Sequence, residues 1–136
     1  MAITIDYGRQ WALEATVSFA FGDLTSGAAT DAVKLPPGAV VHGGRVYTDT
    51  AWNSGTSDTL SVGDSVSATR YINASATALR TAALNTEFAS TANGFKYAAG
   101  GTIQVTITRV GTAATAGAAR MYVRYTNDTR ANEVQQ

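Results

Sequence analysis

The sequence has 136 residues, 45% of them hydrophobic and only 15% charged, with ten basic and ten acidic side chains and no cysteine. This size fits one domain built around one core. The missing cysteines exclude disulfides, thiolate nucleophiles and Cys-based zinc sites, and the balanced charge lacks the basic footprint that a nucleic-acid backbone demands. Charge this far below the roughly 25% of ordinary domains leaves a surface of Thr, Ser, Ala, Gly and Asn.

Taken in chain order, residues 1–12 read as an N-terminal arm. They show no basic stretch leading into an apolar one, and nowhere do 18 apolar residues run together, so the expectation is synthesis in a cytoplasm without export or a membrane span. Ala15, Val17, Phe19 and Phe21 then alternate with Glu14, Thr16, Ser18 and Ala20, the period of a half-buried strand. A turn-rich run follows. Val33 and Leu35 share one face of a short strand that Pro36 and Pro37 stop by removing two ladder donors.

A long strand comes next, whose even positions Val40, His42, Gly44, Val46, Thr48, Thr50 and Trp52 share a face, with a bulge or a close backbone approach expected at Gly43 and Gly44. Residues 51–64, AWNSGTSDTLSVGD, read as a hairpin connection. Trp52 closes one strand, residues 53–58 turn with Asp and Ser bonding their own backbone, and Leu60 and Val62 resume on the same face.

Ile72, Ala76, Leu79 and Ala83 are spaced for a short helix over 72–84, which Asn73 or Ser75 would cap; a loop covering one end of a sheet is the alternative. Near the end, Ile103, Val105 and Ile107 define one strand. Met121, Val123 and Tyr125, set against Arg120, Tyr122 and Arg124, define another, and the small-residue run GTAATAG is expected to join the two as an antiparallel pair. The whole predicts an all-β fold, a jelly-roll-like or Greek-key antiparallel sandwich over residues 13–126, with 127–136 as a C-terminal tail.

Few residues suggest chemistry. His42 is the only histidine and has no G-x-S-x-G elbow to serve, so a catalytic triad is not expected. Asp49, Asp58 and Asp64 form the one acidic trio that a hairpin through Gly55 would gather; calcium takes such oxygens, but the D-x-[DN]-x-[DN]-G spacing is absent, which leaves the trio a weak metal candidate. No cofactor is expected. The aromatics Trp11, Trp52, Tyr47, Tyr71, Tyr97, Tyr122 and Tyr125 raise a carbohydrate platform, although most fall where strands pack. Tyr122, flanked by Arg120 and Arg124 on the polar face, is the best exposed contact residue.

The runs AVKLPPGAVVHGGRVYTDTAWNSGTSDTLSVGD and TAGAARMYVRYTNDTRANE resemble small structural proteins of tailed bacteriophages, described as capsid-decorating or cement proteins. The resemblance covers roughly half the chain and nothing between Arg70 and Ala99. It implies a non-enzymatic virion component on the outer capsid that joins neighbouring major capsid subunits and forms a homotrimer ahead of a homodimer. Tail, baseplate or fibre proteins and carbohydrate-binding modules are the alternatives. On this reading residues 3–7, ITIDY, pair with a sheet edge of a second subunit, with Tyr7 and Trp11 anchoring the contact and Arg120, Tyr122 and Arg124 as further interface residues. Removing residues 1–12 should then abolish capsid binding or oligomerisation without unfolding the sandwich.

Overall fold

A computed structural model describes residues 11–127, and the outer parts of both expected arms, with Tyr7, lie outside the described residues. The described residues form nine strands: β1 (Leu13–Ala20), β2 (Ala29–Leu35), β3 (Ala39–Thr50), β4 (Ser57–Gly63), β5 (Ile72–Ser75), β6 (Asn85–Glu87), β7 (Phe95–Tyr97), β8 (Gly101–Val110) and β9 (Ala118–Asn127). They make two antiparallel sheets. One has the order β1-β9-β3-β6, with β7 continuing the β6 edge along β3, and the other has the order β2-β8-β4-β5. The fold is an all-β sandwich, as the period of two implies, and among the described residues no helix is long and apolar enough to cross a membrane.

The core lies between the sheets. Val41, Val46, Met121 and Val123 from one sheet meet Leu60, Val62, Ile103, Val105 and Ile107 from the other, all essentially without solvent contact. Burying each such side chain contributes about 1.5–3 kcal/mol. Trp52, Tyr71, Leu79 and Phe88 extend the same core toward the long connection between β4 and β6.

Three expectations are corrected by this winding. β8 and β9 do not pair: β8 lies between β2 and β4, and β9 between β1 and β3. Period two reports which face is buried and not which sheet a strand joins, and residues 111–117 are enough to arch from one sheet to the other. For the same reason residues 51–64 are not a hairpin, because β3 and β4 belong to opposite sheets. The two arches instead lock together. Asn53 Oδ1 accepts the amides of Thr115 and Ala116 at 2.8 and 3.0 Å, and the Gly55 amide donates to the Thr112 carbonyl at 2.8 Å. Gly117 passes under the Trp52 ring, where an added Cβ would stand 2.6 Å from Cδ2.

The third correction concerns residues 72–84, which form no helix. Ile72 and Ser75 pair with Val62 and Leu60, and Ala74 and Ala83 hold positive φ angles of 45° and 61°. The Leu79 carbonyl and the Ala83 amide bond to the Trp52 amide and the Thr48 carbonyl, each at 2.8 Å, so the donors and acceptors a helix needs go to β3 and its end. Ser75 does cap, but only one turn, through the Ala78 amide. Tertiary packing of Ala78 and Leu79 outweighs the alanine preference for helix.

In β3 the bulge falls where the glycine pair places it, between Val41 and Gly43 opposite β9. It also reverses the side-chain parity. Ala39 and Val41 point inward before it and Val46 and Thr48 after it, so the even positions do not share one face. Gly44 is needed there, since a Cβ would meet the Phe88 ring at 2.5 Å.

Candidate functional site

The parity switch in β3 decides which side chains reach the outer surface of the first sheet. Beyond the bulge, Arg45, Tyr47 and Asp49 point outward, and β9 runs beside them with Arg120 opposite Tyr47 and Tyr122 opposite Arg45. Outward residues of β1 complete the rows, with Ser18 beside Arg120, Thr16 beside Tyr122 and Glu14 beside Arg124. Because Ser18 and Thr16 are short, the rings and guanidinium groups of the neighbouring strands stand clear of them.

These groups are interlocked. Arg120 grips Asp49 with two parallel bonds, Nε to Oδ2 at 2.9 Å and Nη2 to Oδ1 at 2.8 Å, and its Nη1 donates to the Tyr122 hydroxyl at 2.8 Å. Its guanidinium carbon lies 5.1 Å from the Tyr47 ring centre, and that of Arg45 lies 4.9 Å from the Tyr122 ring centre. The bonds to Asp49 hold the Arg120 guanidinium charged above even its usual range. Beside this ladder is a polar depression of about 200 Å³, lined by Glu14, His42, Arg45, Glu87, Asn93 and Arg124 among others. Among the described residues Arg124 meets no carboxylate within ion-pair distance.

Arginine and tyrosine are the side chains most often found at the energetic centres of interfaces. Here their rotamers are fixed in advance, which lowers the entropy cost of docking. The arrangement can present planar cations and ring faces to a partner. His42 is exposed, with Nε2 against the Thr126 hydroxyl at 2.7 Å.

The acidic trio does not gather. Asp49 belongs to this outer face, whereas Asp58 and Asp64 are buried at 0% and 5% exposure, each against its own arginine. Asp58 is the first inward residue of β4 and not part of a turn. It accepts the Ser54 hydroxyl at 2.5 Å, the Ser54 amide at 3.1 Å and Arg80 Nη1 at 2.8 Å. Burial pushes its carboxyl up, but Ser54 and Arg80 together outweigh burial and hold it below the usual value.

Asp64 behaves alike. It accepts Arg70 Nε at 2.6 Å, the Ser67 and Val66 amides and the Tyr97 hydroxyl at 2.8 Å. Since Tyr97 donates to Asp64, Tyr71 must donate to Tyr97 across their 2.7 Å contact. Burial again works to raise the Asp64 carboxyl, and the Arg70 bond leads the set of donors that lowers it on balance. Burial raises both Tyr71 and Tyr97 above the normal phenol range. Among the described residues no three metal-ligating side chains converge.

Of the expected contact residues, Arg120, Tyr122 and Arg124 share the outer face of the first sheet, and Trp11 stands 75% exposed just before β1. Trp52, Tyr71 and Tyr97 are buried, so the seven aromatics do not form one platform. Arg45, not among the expected contact residues, lies with Tyr47 and Asp49 in the opposite phase to the buried Val46 and Thr48, and simple alternation beyond Gly44 is the signal that finds it.

No protein-family model and no curated protein sequence matches the chain. Solved structures do. A chain of the structure titled cyanophage Pam1 capsid asymmetric unit is 24% identical with a TM-score of 0.71, covering 93% of this chain and 91% of that one. A chain of the acidic stable capsid structure of Helicobacter pylori bacteriophage KHP30 is 12% identical with a TM-score of 0.67, covering 90% of this chain and 93% of that one. The likeness shows that this chain and those two share a fold along nearly their whole lengths.

Proposed function

We propose that this chain is a non-enzymatic structural protein of a phage virion, a head decoration or cement protein that binds the outer capsid and bridges major capsid subunits as a homotrimer. The observation that carries this reading is the fold shared over about nine-tenths of each chain with chains from two phage capsids. The strand order supports it as well. We read β1-β9-β3-β6 facing β2-β8-β4-β5, with the chain passing between sheets at most connections, as a jelly roll, a winding found in viral capsid and lectin domains. On this reading the outer face of the first sheet docks on the capsid through Arg45, Tyr47, Arg120, Tyr122 and Arg124.

Purified virions carrying a tag after residue 136 test the location. Negative-stain imaging with gold-labelled tag antibody should decorate heads. Label confined to tail or baseplate would overturn the head reading in favour of a tail protein. Light scattering on the isolated protein should give three times the chain mass, and a stable monomer or dimer would contradict the trimer.

A further inference from the structure

The side-chain rows on the outer face of the first sheet have a gap. At the β3 bulge Gly43 stands opposite Arg124 and Arg45 opposite Tyr122, so β3 places no side chain directly beside Arg124. Neither backbone nor packing demands glycine at that point. The φ of Gly43 is not in the left-handed region, and among the described residues beyond its chain neighbours an added Cβ would meet only Asn93 Oδ1, at 3.9 Å. The resulting depression of about 200 Å³ is smaller than the roughly 300–1,000 Å³ of pockets that enclose whole small molecules, and it suits a single side chain.

The charges around the gap decide which side chain fits. Arg45 and Arg124 stand on the two central strands, β3 and β9, whereas Glu14 and Glu87 stand on the flanking strands β1 and β6. Glu14 is opposite Arg124 and Glu87 opposite Arg45, yet among the described residues no ion pair closes between them. Arg120 is already engaged by Asp49 and the Tyr122 hydroxyl, while Arg45 has only the face of the Tyr122 ring. Arg45 and Arg124 thus keep their N–H donors for an incoming acceptor, in the planar form that matches a carboxylate. Glu14 and Glu87 are exposed and narrow the choice. A phosphate backbone or a run of acids crossing the sheet would meet both of them, whereas one carboxylate held over the central strands would not.

We infer that this depression takes the carboxylate of one Asp or Glu side chain projecting from a protein partner, held between Arg45 and Arg124. The inference rests on the docking role proposed for this face and names the chemistry that the partner brings to it.

Head association and the isolated protein test it separately. On heads, Arg45→Gln and Arg124→Gln should each weaken association about tenfold, the worth of a hydrogen bond to a charged group, with unchanged circular dichroism. Glu14→Gln and Glu87→Gln should tighten it, because each removes a charge that repels the carboxylate. Gly43→Asp fills the gap with a carboxylate of the chain's own, and it should block association while the melting temperature holds or rises. Wild-type association in both arginine variants, or association no tighter than wild type in both glutamate variants, would overturn the proposal. If Tyr122→Ala also associates like wild type, the docking reading itself fails and the isolated protein decides. There, N-acetylglutamate α-amide should shift the Nε resonances of Arg45 and Arg124 saturably, N-acetyllysine amide should not, and Gly43→Asp should remove the shift. No shift, equal shifts with both probes, or tighter binding of a single-stranded oligonucleotide would overturn the proposal.

Discussion

The same ionic pair, aspartate with arginine, is used in two opposite ways in this molecule. At the long connection after β4, the carboxylates of Asp58 and Asp64 are closed inside the fold, and Arg80 and Arg70, each still partly open to solvent, tie residues 64–83 to them at the end of the core. On the outer face of the first sheet Asp49 with Arg120 is open to solvent on both sides. A buried carboxylate deprived of its counter-ion cannot regain water, so the inner pairs are structural clamps. An exposed pair adds little to folding and instead fixes the direction of a guanidinium that a partner can use. The contrast separates residues that hold the fold from residues that can recognise something.

Substitution at the inner pairs should give the largest effect. Asp58→Asn leaves Arg80 and Ser54 facing an uncharged amide, and we expect a loss of about 3 kcal/mol, near the lower end for a broken buried pair because Arg80 is 34% exposed. In thermal unfolding this corresponds to a fall of roughly 10 °C. An unchanged melting temperature would erase the distinction between the two regions.

The pH dependence should be intermediate. Asp58 and Asp64 titrate below their unfolded value in the fold, so the stability they contribute is complete above about pH 4 and is lost as pH falls through the folded values. Tyr71 and Tyr97 titrate above theirs, so their contribution is complete below about pH 10 and is lost as pH rises beyond it. Denaturant melts across pH should show a plateau between these limbs, and Asp58→Asn should flatten the acid one. An acid limb that is unchanged in this variant would show that Asp58 is not clamped as described.

Arg120→Ala should change the melting temperature much less than Asp58→Asn, because its partners Asp49 and Tyr122 are surface groups. A drop as large as that of Asp58→Asn would make the outer face structural. The smallest effect belongs to Thr108→Ala on the outer face of the second sheet, which should alter stability by less than about 0.5 kcal/mol and leave association with heads unchanged. Weakened association would mean that both sheets dock.

Local patterns carried the strands well and their partners poorly. Ile103, Val105 and Ile107, and likewise Met121 and Val123, alternate cleanly because each strand has one buried face. Nothing in that alternation says that β8 and β9 lie in different sheets. The bulge at Gly43 is legible from the glycine pair, but its reversal of parity is not, so Val40 and His42 are the residues that simple alternation misplaces on the face of Val46, whereas Arg45 keeps the outward phase that alternation gives it. Asp58 sits among Ser, Thr and Gly and so resembled a turn residue; its burial depends on Arg80, 22 positions away. Arg120, Tyr122 and Arg124 were legible as a contact face because they are the polar phase of an otherwise apolar strand. The apparent helix over 72–84 rested on spacing that tertiary contacts with Thr48 and Trp52 overrode.

The most direct test of the proposed docking role is binding of purified protein to phage heads prepared without it, comparing the wild-type chain with Tyr122→Ala and Arg120→Ala. Tyr122 contacts both Arg45 and Arg120, so its removal should weaken head association about tenfold or more with no change in melting temperature. Association as tight as wild type in both variants would contradict the assignment of this face as the docking surface.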